Sequence, residues 1–328
     1  MISGVELEKF RGIRSVGAPL EISKFTVLMG PNGAGKSSIL EALCLLPPGG
    51  MFLDMNKGTF LGIRGHDSKR SLVYLGSDEA RVITRTEGGE VEIAIYGAEH
   101  ELSFGKGYML SASGLFAHVK PDDSELAKVL GIGPNEVSSY SLIFSGDTDW
   151  QMRLASSLAS TSTWWTRVEA SGAHWRVVKE LVDQGLIPER FTEVVPVGDE
   201  LRLRKETSSG PYYLRLNEVS TGLKSFLVAA LAIEVANPKL ILWDDFESNT
   251  HPSLLGHILG WLSSRPAQVV IATHSIDVLY ELAMGKVQEF TVLRLKKSAE
   301  DVVSAEVLRE DDLAESFEAN IDPRKIVG

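Results

Sequence analysis

The chain has 328 residues, 44% of them hydrophobic, and a formal net charge of −11. That is enough apolar material for one large α/β domain or two smaller ones, and the acidic balance argues against a uniformly basic nucleic-acid binder. The single cysteine, Cys44, excludes an intrachain disulfide framework and a Cys-rich zinc site.

The segment Met1 to Glu6 starts directly in a strand-like pattern rather than a signal sequence. No apolar run approaches the roughly 18 residues that span a bilayer. The expectation is a soluble, cytoplasmic protein with no membrane partner. Residues 2–10 and 20–29 read as strands. The second ends in the apolar run Phe25 to Met29, and Gly30 to Ser37 follows as GPNGAGKS. This matches G-x-x-x-x-G-K-[ST] in full, with a strand before it and a helical pattern from Lys36 to about Leu46 after it. Such a glycine-rich turn aims backbone N–H groups inward at phosphate oxygens, and the helix N-terminus adds partial positive charge. Lys36 is expected to reach the β- and γ-phosphates and Ser37 to hold Mg²⁺. The chain therefore reads as a binder of a nucleoside triphosphate.

Pro47 to Gly50 should stop that helix. Arg64, Lys69 and Arg70 form a basic cluster. Arg81 to Arg85, Glu87 to Glu90 and Val91 to Ile95 read as a hairpin, giving an antiparallel layer beside the glycine-rich turn. A helix is expected from Asp122 to Leu130 and broken helices from Asp149 to Gly185. The latter carry Trp150, Trp164, Trp165 and Trp175. These favour core, or a seam between lobes, over a docking surface, because large aromatics dominate burial. No sustained heptads occur, so no long coiled coil is encoded.

Glu200 to Leu216 reads as a hairpin around Ser208 to Pro211. Arg202, Arg204 and Lys205 make a second basic cluster, with the two arginines on one side of the strand. A solvated face is the favoured reading of both basic clusters, against a nucleic-acid strip. Ser220 can cap the helix expected from Leu223 to Ala236, and Gly222 allows close backbone approach. Here a second anion site and an ordinary helix start weigh evenly. Leu240 to Trp243 and Val269 to Ala272 are short buried strands of the parallel kind, with a helix from Pro252 to about Leu262 between them. The first ends in Asp244 and Asp245, with Glu247 near. Asp244 stands where a P-loop enzyme places the carboxylate that assists Mg²⁺, and Asp245 where a base polarises attacking water. His274 closes the second strand, positioned to donate a hydrogen bond to the γ-phosphate.

Four motifs thus occur in order: GPNGAGKS, NEVSTGLKS, LILWDDFESNTHP and VVIATHS. This order resembles the ATP-binding-cassette (ABC) ATPases, and within them the soluble branch of SMC, RecF and overcoming-lysogenisation-defect (OLD) type proteins. ISGVELEKFRGIRS looks like that branch's first strand, and FEANIDPRKIVG like the tail of small OLD-like ATPases. The likeness covers roughly residues 1–46 and 214–282. It implies an α/β P-loop NTPase fold: an ABC-ATPase head with an antiparallel β lobe packed on a RecA-like parallel-sheet lobe, plus a helical insertion. The expected division is a single domain, with lobe I at about 1–120, the insertion at about 121–190 and lobe II at about 191–328.

The resemblance also implies roles. Gly30, Asn32, Gly33, Ala34, Gly35, Lys36, Ser37 and Ser38 would form the phosphate loop. Ser37 and Asp244 would hold Mg²⁺. Asp245 occupies the usual catalytic glutamate's position, and His274 that of the switch histidine. Ser220 and Gly222 fall in the signature motif, which contacts the γ-phosphate bound on the other subunit. Ser248 to Pro252 matches the dimer-facing loop, and Arg11 a basic position near the nucleotide. The implied species is a homodimer closed head to tail on two ATPs. DNA and a separate nuclease or effector chain are candidate partners, in DNA repair, chromosome handling or phage defence. Two alternatives are a nucleotide-gated module with little turnover and, with less support, a transporter ATPase subunit. The chain departs from the pattern in three places. Asp245 is one methylene shorter than glutamate, Phe246 replaces proline, and the Q-loop position holds Ser145, with Gln151 a poorer candidate.

Overall fold

The computed structural model describes residues 1–46, 72–96, 108–111, 123–160, 162–188, 190–248 and 250–325. The cluster of Arg64, Lys69 and Arg70, the helix stop after Leu46 and Asn249 lie outside them. A main sheet of twelve strands, counted among the described residues, runs through the molecule. Its antiparallel part holds β1 (Ile2–Phe10), β2 (Ile13–Val16), the short β3 (Leu20–Glu21), β5 (Glu79–Thr86), β6 (Gly89–Tyr96) and β7 (Tyr108–Ser111). Its parallel part is centred on β4 (Phe25–Met29), which leads into α1 (Lys36–Cys44). The expected hairpin is β5–β6, and α2 (Asp123–Leu130) follows β7.

The parallel strands are β4, β8 (Ser141–Ser145), β12 (Leu240–Asp244), β13 (Gln268–Thr273) and β14 (Thr291–Lys297), in the order β14-β4-β13-β12-β8. Every residue of β4, β8, β12 and β13 is buried, which explains the unbroken apolar runs in the sequence. Alternate side chains enter two different cores. Leu28, Leu240, Leu242, Val270 and Ala272 pack with α1 and the antiparallel strands. Val27, Met29, Ile241, Trp243, Val269 and Ile271 pack on the other face, with α6 (Thr221–Ala236), α7 (Pro252–Ser263) and α8 (Ile276–Ala283). Helix α6 is apolar around nearly its whole circumference and is buried along nearly its whole length.

Between β8 and α6 lie α3 (Thr148–Ser160), α4 (Ser162–Ser171), α5 (Ala173–Asp183) and a separate antiparallel sheet of β9 (Phe191–Val197), β10 (Glu200–Thr207) and β11 (Gly210–Arg215). The four tryptophans divide. Trp150 and Trp165 are core, Trp164 packs against the core, and Trp175 is 47% exposed. An aromatic chain joins the insertion to the acid-ending strand. Trp150 meets Phe144 edge-on, Phe144 meets Trp243, and Trp243 meets Phe246 edge-on. Phe246, the departure from proline, is therefore a buried packing residue. After β14 the chain turns into the antiparallel β15 (Val302–Leu308) and ends in α9 (Glu310–Glu318) and a short turn. No helix among the described residues is long and apolar enough to cross a membrane.

Candidate functional site

The glycine-rich turn joins β4 to α1 at the C-terminal ends of the parallel strands, where open α/β sheets bind ligands. Gly33 and Gly35 have φ of 82° and 99°, a region that side-chain-bearing residues rarely adopt. A Cβ at Gly35 would lie 3.0 Å from Ile13 Cδ1, so this glycine also permits close packing of the turn on β2. The turn lines a cavity of about 470 Å³ with Asn32, Gly33, Gly35, Lys36, Ser37 and Ser38 on its floor. Arg11, Gly12 and Lys297 lie on its wall together with Asp245.

Lys36 is buried and donates to the carbonyls of Gly30 (2.8 Å) and Pro31 (3.2 Å). Burial lowers its pKa, opposed by the carboxylates of Asp245, Asp244 and Glu247. Asp244 is 3% exposed at the end of β12, level with Ser145 on the adjacent β8. Asp245 turns out into the cavity on a left-handed backbone, φ 48°. Burial raises its pKa, as do Asp244 and Glu247, while His274 and Lys36 oppose. Arg11 also has a left-handed backbone, and its guanidinium pairs with the buried Glu41 of α1.

His274 follows β13 and its side chain is 59% exposed. Glu247 Oε1 accepts from both its backbone N–H (2.9 Å) and its ring Nδ1 (2.8 Å). This contact holds the ring in place. His274 does not line the cavity of the glycine-rich turn. It opens on a neighbouring one, of about 410 Å³, with Gly30, Pro31, Arg294 and Arg324. Arg324 from the C-terminal turn donates to the His274 carbonyl at 3.1 Å.

Ser220 precedes α6 and is exposed. Gly222 in its first turn is buried, and neither lines the Lys36 cavity. Gln151 is buried in α3 and donates to the Ser145 carbonyl at 3.3 Å, with its own Oε1 unpartnered. Arg202 and Arg204 do share the outer face of β10, but carboxylates meet them there. Arg204 pairs with Glu193 and Glu206, and Arg202 and Arg215 with Glu200. The strip is thus charge-balanced, as for a solvated face.

Two family models match the chain. One is described as "AAA domain, putative AbiEii toxin, Type IV TA system" and covers residues 137–280; the other, an AAA domain, covers residues 5–126. Among solved structures, an SMC head bound to the C-winged helix domain of ScpA is 15% identical, with 97% of this chain and 99% of that chain covered and a TM-score of 0.61. An SMC head with an extended coiled coil, bound to the C-terminal domain of ScpA derived from Pyrococcus furiosus, is 14% identical at a TM-score of 0.56, over 97% and 99% of the two chains. The SMC head of Thermotoga maritima is 16% identical at 0.50, over 94% and 98%. Two separate stretches of the chain thus match AAA-domain models, and the fold is that of an SMC head. A comparison with curated proteins gives no match.

The oxygen donors around the Lys36 cavity suit a hard cation. The Ser37 hydroxyl flanks the cavity, Asp244 ends the adjoining buried strand, and Glu247 Oε2 is buried without a hydrogen bond. No cluster of three or more His, Cys, Asp or Glu among the described residues forms a metal cage. Mg²⁺ is usually held by one or two protein oxygens and completed by phosphate and water. Sequence reasoning overlooked Lys297, Arg324 and the grip of Glu247 on His274. The apolar residues Val292, Leu293 and Leu295 carry a strand signal for the first; the other two depend on contacts between segments far apart in the chain.

Proposed function

We propose that this chain binds and hydrolyses ATP, and that ATP closes two copies head to tail. One observation carries the reading. Lys36 and Asp245 line one cavity, while the Ser220 turn is exposed and outside it. A triphosphate in that cavity has half a site, and an isologous pair supplies the other half twice. Gly30, Asn32 to Gly35, Ser37 and Ser38 receive the phosphates through backbone N–H groups and hydroxyls. On binding, Lys36 exchanges its bonds to the Gly30 and Pro31 carbonyls for the β- and γ-phosphates. Arg11 adds positive charge at the wall. Ser37 and Asp244 would hold Mg²⁺, which would neutralise charge on the phosphates. Asp245 takes the proton of the attacking water, and its raised pKa suits a base of moderate strength. His274, fixed by Glu247, meets the γ-phosphate once the partner's Ser220 and Gly222 close on it. Hydrolysis removes these contacts and releases the pair, a switch driven by γ-phosphate contacts. The setting is cytoplasmic, in DNA repair, chromosome handling or phage defence, with DNA or a separate effector chain as partner.

The test is light scattering after size exclusion on Asp245→Asn, with and without ATP. The expected result is a dimer in ATP and a monomer without it. A variant that stays monomeric in saturating ATP at high concentration sinks the proposal. A second reading, a nucleotide-gated recruiter with little turnover, is favoured by Asp245 itself, a short carboxylate on a left-handed backbone. Steady-state phosphate release with and without DNA separates the two.

A further inference from the structure

The strand order gives the cavity a direction. β14 lies on one side of β4, and β13 then β12 lie on the other. At about 4.8 Å per strand, the ends of β12 and β14 stand about 14 Å apart, with the glycine-rich turn between them. Asp244 and Asp245 mark the β12 side. If that side holds the γ-phosphate and its attacking water, the α-phosphate and nucleoside must leave toward β14. Lys297 is the last residue of β14. The strand pairs in parallel with β4 up to Arg294 opposite Met29, so Lys297 stands about 10 Å beyond the end of β4, on the side of the turn.

Three segments converge there. Lys297 Nζ donates to the Gly12 carbonyl at 2.9 Å and pairs with Asp301 across the β14–β15 turn at 2.7 Å. Asp301 accepts from the Tyr74 hydroxyl at 2.7 Å, and its carbonyl accepts from the Arg14 N–H at 2.9 Å. The β1–β2 turn, the Tyr74 segment and the β14–β15 turn thus fix one ammonium on the wall of the cavity that also holds Lys36 and Ser37. Its side chain keeps 25% of its surface, so it is held but accessible.

We propose that Lys297 is the contact for the α-phosphate of the bound nucleotide, with Asp301 as the counter-ion it leaves when the nucleotide arrives. The inference rests on the reading of this cavity as the triphosphate site. A lysine is suited to the role because its ammonium is a rotatable point charge that can swing from carboxylate to phosphate.

Calorimetric titration of the full chain with a non-hydrolysable ATP analogue and with ADP tests it. Lys297→Ala should raise both dissociation constants about tenfold, and by the same factor, because both ligands carry the α-phosphate. Lys297→Gln, which keeps a donor toward the Gly12 carbonyl, should lose as much and serves if the alanine variant folds poorly. Asp301→Asn should move the other way, tightening both ligands about threefold by removing the competing carboxylate. A purely structural Lys297–Asp301 pair predicts no such gain. Wild-type constants in both Lys297 variants overturn the proposal, as does a loss confined to the ATP analogue, which would put Lys297 at the γ end. Lys36→Ala is run alongside. If it too binds like the wild type, the cavity assignment falls; if it loses binding while the Lys297 variants do not, only the role of Lys297 falls.

Discussion

Gly33→Ala and Gly35→Ala separate the two duties of the phosphate turn. Both residues have positive φ, so each alanine carries backbone strain of about 1–3 kcal/mol. They differ in what the new methyl meets. At Gly33 a Cβ finds no atom within 4 Å, because it would stand in the open cavity. At Gly35 it meets Ile13 Cδ1 at 3.0 Å, Ile13 Cγ1 at 3.3 Å and Val303 Cγ2 at 3.4 Å. Ile13 is fully buried, so it yields only by disturbing the core, at about 1–3 kcal/mol more. At about 2 °C per kcal/mol for a chain of this size, Gly33→Ala should melt about 2–6 °C below the wild type, and Gly35→Ala several degrees lower again. Nucleotide reverses the emphasis. A methyl at Gly33 occupies space the phosphates need and breaks about two charge-assisted hydrogen bonds, about 3 kcal/mol or 150-fold in Kd. Thermal shift with and without ATP reads both terms. The wild type should gain about 2.7 kcal/mol of stability at 100-fold excess over Kd, and Gly33→Ala almost none. If Gly33→Ala keeps the full ATP-induced shift, phosphate does not sit over this turn and the functional reading fails with it.

Two further predictions concern the frame around the site. Gln268, buried at the start of β13, accepts from the Ile2 N–H (2.9 Å) and donates to the carbonyls of Ile2 (2.7 Å) and Ser23 (2.8 Å). Gln268→Leu strips these backbone groups of partners and should cost about 3–5 kcal/mol in urea unfolding; a cost under about 1 kcal/mol would show that water replaces them. Burial of Tyr140, and to a lesser degree the charge of Glu87, push its hydroxyl pKa from 10.0 to about 12. The neutral phenol's contribution is fully present below the unfolded pKa near 10 and is lost as pH rises through the folded one. Stability should therefore fall between about pH 10 and 12, by about 2.7 kcal/mol. Tyr140→Phe should flatten that limb, and an unchanged alkaline limb in this variant would refute the assignment.

The motifs along β4, β12 and β13 were legible because each is a buried strand followed at once by a polar or glycine-rich turn. A parallel sheet covered on both faces leaves an unbroken apolar run that ends abruptly at the ligand-binding edge. What could not be read was which strand ends lie side by side. Ser145 reads alone as a poor substitute for a glutamine, yet β8 sets it level with Asp244, and Gln151 reaches back to its carbonyl from α3. Arg202 and Arg204 were legible as one face of a strand. The glutamates that neutralise them include Glu193 on β9, a strand whose half-buried pattern gives little period-two signal. Lys297 is the sharpest case. A lysine ending a strand is usually solvated surface, and only the pairing of β14 with β4 brings it over the phosphate turn.

The same pairing bears on how nucleotide could reach the rest of the molecule. β4 is hydrogen-bonded to β14 on one side and β13 on the other, so the two walls of the cavity are carried by strands of one sheet. A rigid sheet holds Lys297 and Asp244 at nearly constant separation, and binding has little freedom to move them. The elements free to respond are those attached beyond the strand ends. One is the Asp245 to Ser248 turn, stacked through Phe246 on Trp243 and from there on Phe144 and Trp150 of α3. Another is the C-terminal turn, tied to the His274 carbonyl by Arg324. The first lies on the β12 side, whereas the C-terminal turn also touches β14, where the Pro323 carbonyl accepts from Arg294 Nη1 at 3.5 Å. On the proposed binding mode, the nucleoside end would anchor the ligand alike with ATP or ADP, and the difference between the two would be felt first at Asp245, Glu247 and His274.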